Sequence, residues 1–399
     1  MIEGQTGWGC GKMQPAAETV GADEGVSSIM RHYLKFFFDP GLDRRKLTPR
    51  MRQDGSVDLY DLGYVQNVMA GEAVAQWLPA EQAPADADPR AFYSEKVFPY
   101  GLGCTPDPGN PDRLVSTVNG YVAFENGRIT VRRNLVVPGD VDFHTGNIVF
   151  VGDVTIEGAV RAGFEVVGRN VVVRGLVEGA RIRATESIVA ESGIKGSDNA
   201  VIRAGSNLRA RFCENAELHA GKNLLVDGSS MLCHFYVGAR LAVKDRLVGG
   251  TAACRGAVYV GEALGGGLRT QTKLLLGYDP ELISRDRTLR QKIHRVTERA
   301  MALRREGGPE GRTGKEAAEE LAGLEKKLAA YHDLRHKLWL NRHGGEDFLV
   351  CRVIVPGVIG ANVEISIGEA VMDAPAGARD VLFRYFDGDV VMSSPAVKR

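Results

Sequence analysis

What this 399-residue sequence lacks narrows its function before any motif is read. No run approaches the roughly 18 apolar residues of a membrane-spanning helix, so no membrane span is expected. Neither sign of charge prevails, with Lys+Arg at 50 and Asp+Glu at 50. A chain that grips nucleic acid through its phosphates ordinarily carries a basic excess, so nucleic-acid binding is not expected. Cysteine is sparse, at positions 10, 104, 213, 233, 254 and 351, with no C-x-x-C pair and one neighbouring histidine, His234. That usage fits reduced thiols in a cytoplasmic protein better than a disulfide frame or a zinc site. The segment before Cys10 has no apolar stretch of the kind a secretory or lipoprotein signal needs.

Cofactor motifs are missing as well. Gly7-Trp8-Gly9-Cys10-Gly11-Lys12 has the look of a phosphate loop, but Thr6 stands where the first glycine belongs and Met13 follows the lysine. The segment 68–75 (VMAGEAVA) resembles the strand and turn of lipoyl or biotinyl carriers, yet no lysine lies between Lys46 and Lys96 to be modified. Cys233 and His234 are sequence neighbours in an extended segment and point apart. No metal, nucleotide or covalent cofactor is expected.

Glycine is abundant, 49 residues against 16 prolines, and falls mostly between short apolar runs, as in a protein of many tight turns. Residues 1–26 read as a flexible Gly-rich tail and 27–136 as a small N-terminal β domain. Its strands include 32–38, 114–124 and 129–137, the last two joined by a Glu125-Asn126-Gly127 turn. Beyond it the chain repeats. Cut at one phase, the units are 147–163, 164–180, 181–200, 201–216, 217–233, 234–250 and 251–267, five of them 17 residues long. Stacked, they place Val171, Ile188, Leu208, Leu224, Leu241, Val258 and Leu274 in one column and Ile202, Leu218 and Phe235 in another. A unit of this size cannot bury its own apolar face, so successive units stack as coils of a parallel β-helix. At about 4.8 Å per coil, seven or eight coils make a rod on the order of 35–40 Å long. A left-handed hexapeptide helix would repeat an aliphatic residue every six positions. Leu218 is followed at that interval by Leu224 but then by Ser230, and Leu208 by Glu214, so a right-handed helix over 137–278 is expected.

After Gly277-Tyr278-Asp279-Pro280 the apolar period becomes helical. Leu282, Leu289, Ile293, Val296, Ala300 and Leu303 form one near-heptad seam; Leu321, Leu324, Leu328, Tyr331, Leu334 and Leu338 form another, past the breaker at 307–311. The spacing predicts an antiparallel coiled-coil hairpin over 279–345, inserted near one end of the β-helix. Residues 346–399 supply strands that complete and cap the rod. A projecting arm adds little to a rod that closes its own core. The seam residues Leu289, Ile293, Val296, Leu324, Leu328 and Tyr331 are therefore candidates for partner capture or homodimerisation.

Two other readings stand beside this one. Arg183, Arg203, His219 and Tyr236 stack as an outward column flanked by Arg181, Arg209 and Arg211. The stripe suits an anionic partner, although a solvated face would look the same. Parallel β-helices also host carbohydrate-active enzymes, whose carboxylates cluster over a groove walled by long loops. Here the turns are short, and Asp153, Glu157, Glu165 and Glu178 form no column, so no enzyme is expected and no catalytic residue is assigned.

The stretch 141–160 (VDFHTGNIVFVGDVTIEGAV) resembles the signature opening of the bacterial flagellar assembly protein A family. The likeness continues through 202–208 (IRAGSNL), 274–280 (LLLGYDP), the hairpin and 355–368 (VPGVIGANVEISIG), spanning about residues 30–390, with 54–60 and 67–75 fitting the family's N-terminal domain. The resemblance implies a cytoplasmic, non-catalytic adaptor with a right-handed β-helix, acting through protein partners in flagellar biogenesis or cell-pole organisation. It carries no catalytic residues over to this chain. A bactofilin-like scaffold polymerising end to end is the alternative; it needs two open coil ends, and both ends here are expected to be capped.

Overall fold

The computed structural model describes residues 32–51, 57–267, 269–306, 314–340 and 348–396. The Gly-rich leader, with its Gly7–Lys12 loop and Cys10, lies outside them. The N-terminal region packs two antiparallel sheets over one small core. A five-stranded sheet runs in the order Phe92–Tyr93, His32–Phe36, Ala73–Pro79, Asn110–Ser116, Cys104–Asp107. A three-stranded sheet runs Arg128–Arg132, Gly120–Glu125, Asn67–Val68. Leu34, Trp77 and Leu114 from the first meet Val122, Ile129 and Val131 from the second. The expected hairpin turn is present: Asn126 and Gly127 take φ of 51° and 73°, the left-handed pair that a two-residue hairpin requires. The strand expected over 129–137 is broken at Arg133. Its first half stays in the N-terminal sheet, and Asn134–Val137 is the first strand of the rod.

The rod is a β-solenoid of about eight turns with three faces. On the first face Ile148, Val166, Ile182, Ile202, Leu218, Phe235, Ala252, Leu274 and Ile365 stack in register. On the second, Leu135, Val154, Val171, Ile188, Leu208, Leu224, Leu241, Val258 and Val353 do so. The third is narrower, running from Val141 through Ile194, Cys213 and Leu247 to Ile359. These columns are almost wholly buried and form one continuous core. Aliphatic residues alternate with outward ones because the pleat has a period of two.

The sequence-predicted column is correct through Val258 but not at Leu274, which pairs with Ala252 on the first face. The successor of Val258 is Val353. The chain therefore leaves the solenoid partway round a coil, forms the arm, and returns to finish that coil. The 20-residue unit is absorbed by a register shift between Lys195 and Ala200, where Ser197 takes a φ of 47°. One corner is tight enough to demand glycine: a Cβ on Gly221 would lie 2.0 Å from the Gly205 carbonyl oxygen, and one on Gly238 1.9 Å from that of Gly221.

Both ends of the rod are engaged within the chain. At the start, the Asn67 amide donates to the Val149 carbonyl at 2.8 Å and accepts from the Val151 N–H at 3.1 Å, and the Asn147 N–H donates to the Tyr60 carbonyl at 2.6 Å. At the finish the chain reverses. Ala370–Asp373 pairs antiparallel with Val363–Ile367, and Arg379–Phe386 pairs antiparallel with Arg352–Ile359. The last parallel edges of the first and second faces are thus already occupied, which works against end-to-end addition of another coil.

The arm comprises α1 (Pro280–Glu306) and α2 (Gly314–Leu340), each 27 residues and therefore about 40 Å long. Asp279 starts α1, its carboxylate accepting the Glu281 N–H at 3.0 Å, with Pro280 in the first helical position where no N–H is needed.

Candidate partner-binding site at the arm and its base

The two helices run antiparallel and are tied along their length. Arg299 meets Glu320 at 3.0 Å, Arg304 meets Glu325 at 2.8 Å, and the Lys292 ammonium lies 5.8 Å from the Tyr331 ring centre. Near the base the tie is buried. Asp286, only 4% exposed, accepts from Arg335 Nε at 2.6 Å and Trp339 Nε1 at 2.9 Å, and pairs with Arg290 at 2.6 Å. Burial pushes this carboxyl up, but the hydrogen bonds from Trp339 and Arg335 and the charges of Arg290 and Arg335 outweigh it. The net pKa lies below the usual carboxylate value.

Leu289, Ile293 and Val296 on α1 and Leu324, Leu328 and Tyr331 on α2 are all half-buried. Part of each seam is therefore consumed by helix packing and part remains open to solvent. Further out Ala300 and Leu303 are buried and Met301 is 45% exposed, whereas near the base Leu334 on α2 is 51% exposed.

The base of α1 lies against the first face of the rod and is held by one carboxylate. Glu217 Oε2 accepts from Arg287 Nη1 of the arm at 3.1 Å. Glu217 Oε1 meets His219 Nε2 at 2.7 Å and Arg203 Nη2 at 3.3 Å. Arg203 Nη1 lies 3.4 Å from His219 Nδ1, so Glu217, His219 and Arg203 form one polar cluster. The His219 bond lowers the Glu217 pKa, against the upward push of burial, with help from the charges of His219, Arg287 and Arg203. The His219 ring stacks on Tyr236 at 4.6 Å between centres. A groove of about 410 Å³ runs beside this cluster, floored by the Gly205, Gly221 and Gly238 corner and walled by Pro280 and Glu281 of the arm. The arm, not a long loop, makes this groove. Its charges are largely matched in pairs, Arg255 with Asp279 at 3.5 Å and Arg203 with Glu281 at 4.0 Å.

The structure divides the arginine stripe. Arg183, Arg203, His219 and Tyr236 do share one column, but His219 and Tyr236 are 8% and 3% exposed beneath the arm, so this is not a solvated face. Arg183 faces Glu165 at 3.9 Å, and Arg181 is exposed on the same strand. Arg209 lies on the second face, bound to Asp227 at 2.6 Å, and Arg211 follows it at that face's edge. The five arginines are thus spread over two faces and do not form one anion track. Cys104, Cys213, Cys233 and Cys254 are buried free thiols, Cys351 is buried with its Sγ on the Arg255 carbonyl at 3.3 Å, and burial pushes Cys104 and Cys254 up to about 11, far from reactive. Among the described residues no group of three or more His, Cys, Asp or Glu is placed to hold a metal ion, and no helix is long and apolar enough to cross a membrane.

Glu217, Arg287 and the Asp286–Trp339 clasp were not singled out from sequence. Their one local signal is the i, i+4 pair of Asp286 and Arg290; the rest depends on where α1 crosses the rod.

A β-solenoid interrupted within one coil by a two-helix arm defines a repeat-built protein with a projecting appendage. Residues 133–390 match the family model of the flagellar assembly protein A β-solenoid domain, well over half of the chain. The chain belongs to that family. No curated protein matches it, and no solved structure does.

Proposed function

We propose that this chain is a non-enzymatic adaptor of flagellar assembly, working in the cytoplasm, at the cell pole, with the helical arm as its partner-binding element. One observation carries the reading: the arm is fixed to the rod through its first two turns, at Glu281 and Arg287, while its seams remain half-open further out. An appendage built only to close the solenoid would need no helices of about 40 Å. Half-buried apolar residues at three- and four-residue steps suit the capture of an amphipathic helix from a flagellar protein. Family membership supports the flagellar context, and the Glu217 cluster supports a structural role for its polar groups, because each is engaged by a neighbour.

Site-specific photocrosslinking in a flagellated host tests this. A crosslinker at Leu328 or Leu334 should give a discrete protein adduct, whereas one at the exposed rod residue Val149 should not. Adducts from the rod position alone would reject the arm as the binding element.

A further inference from the structure

The second face of the rod carries an outer surface that the arm leaves open. A parallel sheet is normally covered on both sides. Here the outward centre column is largely apolar: Val136, Val172, Val189, Leu225, Tyr259 and Ile354 lie on it, with Val136 53% and Tyr259 38% exposed. Arg209, in the same column, turns its guanidinium sideways to Asp227 and leaves its methylenes on the stripe. At the edge of this face stand Glu157, Arg174, Glu191, Arg211, Asp227 and Lys244, one per coil. Each backbone N–H bonds to the carbonyl ending the strand of the coil before. The sign of charge alternates at every step, and the outer rungs also pair along the rod, Glu157 with Arg174 at 2.7 Å and Asp227 with Lys244 at 2.5 Å.

Such a ladder of six, opening on an acid and closing on a base, is complementary to itself when reversed. Turning a second rod over about an axis parallel to the strands sets Glu191 opposite Arg211, Arg174 opposite Asp227, and Glu157 opposite Lys244. The same operation sets Val172 opposite Leu225 and Val136 opposite Tyr259. At the other edge it sets Asp153 opposite Arg240, again acid against base. A parallel arrangement would instead oppose the charged ladder to the edge that holds Asn170, Asn207 and Asn223, and the match would be lost.

We propose that the second face is a homodimer interface, in which two copies of this chain pack antiparallel about a dyad between Glu191 and Arg211. The occupant is a second copy because a reversed copy sets acid against base at every rung, the central Glu191 and Arg211 included. The arm rises from the first face and leaves this one open. The footprint, roughly 30 Å by 13 Å or on the order of 400 Å² per copy, is smaller than that of stable interfaces, so the dimer is weak, forms at high concentration and is sensitive to salt.

Sedimentation velocity on the full chain over a wide concentration range tests the proposal. The unaltered chain should dimerise, and added salt should weaken the dimer. Glu191→Arg alone and Arg211→Glu alone each place like charges across both dyad-related contacts, and should raise the dissociation constant about tenfold or more. Mixing the two variants should restore a dimer, since the new arginine then faces the new glutamate while native Glu191 faces native Arg211. Arg174→Glu and Asp227→Arg offer a second such pair should either first variant fail to fold by circular dichroism. A monomer at all concentrations, single variants that dimerise like the parent, or a mixture that stays monomeric would each overturn the proposal.

Discussion

Glu217 of the rod and Arg287 of the arm meet at 3.1 Å although 70 residues separate them in the chain. That contact decides how the arm leaves the solenoid, because the same carboxylate also holds His219 and Arg203. Glu217→Gln removes the charge that three donors share and should destabilise the arm base by about 1–3 kcal/mol. Hydrogen exchange should show faster exchange in the first turns of α1 and unchanged protection in strands such as Asn223–Val226. Equal protection throughout would show that apolar contacts alone seat the arm.

Asp286 gives the arm an acid sensitivity of its own. Its folded pKa is depressed, so its contribution is full above the unfolded carboxylate value of about 4 and is lost as pH falls through the lower folded value. Helical ellipticity should therefore fall in acid more steeply in the native chain than in Asp286→Asn, which should be less stable at neutral pH. Parallel acid profiles would refute this.

The solenoid core should respond by column. Leu224 is buried between Leu208 and Leu241, so Leu224→Ala should cost about 2–5 kcal/mol, and Leu224→Asp should unfold the rod. Arg181→Ala, on the outer surface, should shift stability by no more than about 0.5 kcal/mol. Thermal melts that rank Leu224→Asp with Arg181→Ala would mean the register is wrong.

Two glycines should behave oppositely. A Cβ at Gly323, on the open side of α2, meets nothing within 4 Å, so Gly323→Ala should stabilise the helix by about 0.5–1 kcal/mol. Gly221→Ala drives a methyl into the Gly205 carbonyl and should destabilise by about 1–3 kcal/mol or more. Denaturant melts of the two variants should move in opposite directions.

Much of the rod was legible in the sequence because each coil repeats the same burial problem. Ile188, Leu208, Leu224, Leu241 and Val258 recur at 16–20 residues and stack as their spacing implies. Spacing misled at Leu274, which follows Val258 by a coil-like 16 residues but belongs to another face. An interval carries length, not direction, and the chain had already turned the corner. The burial of His219 and Tyr236 was illegible for a related reason. Alternation marks them as outward, and what covers them is a helix some 50 residues further on. The arginine stripe failed likewise, since Arg209 is separated from Arg203 by a corner at Gly205.

The most direct test of the arm as the functional element is complementation of a strain lacking this gene. The chain would carry a short Gly/Ser turn in place of residues 281–341, with circular dichroism first confirming that the rod is folded. The account predicts that this armless chain accumulates normally but restores no more motility than an empty vector. Full motility from the armless chain would contradict it and move the function to the rod and the N-terminal sheets.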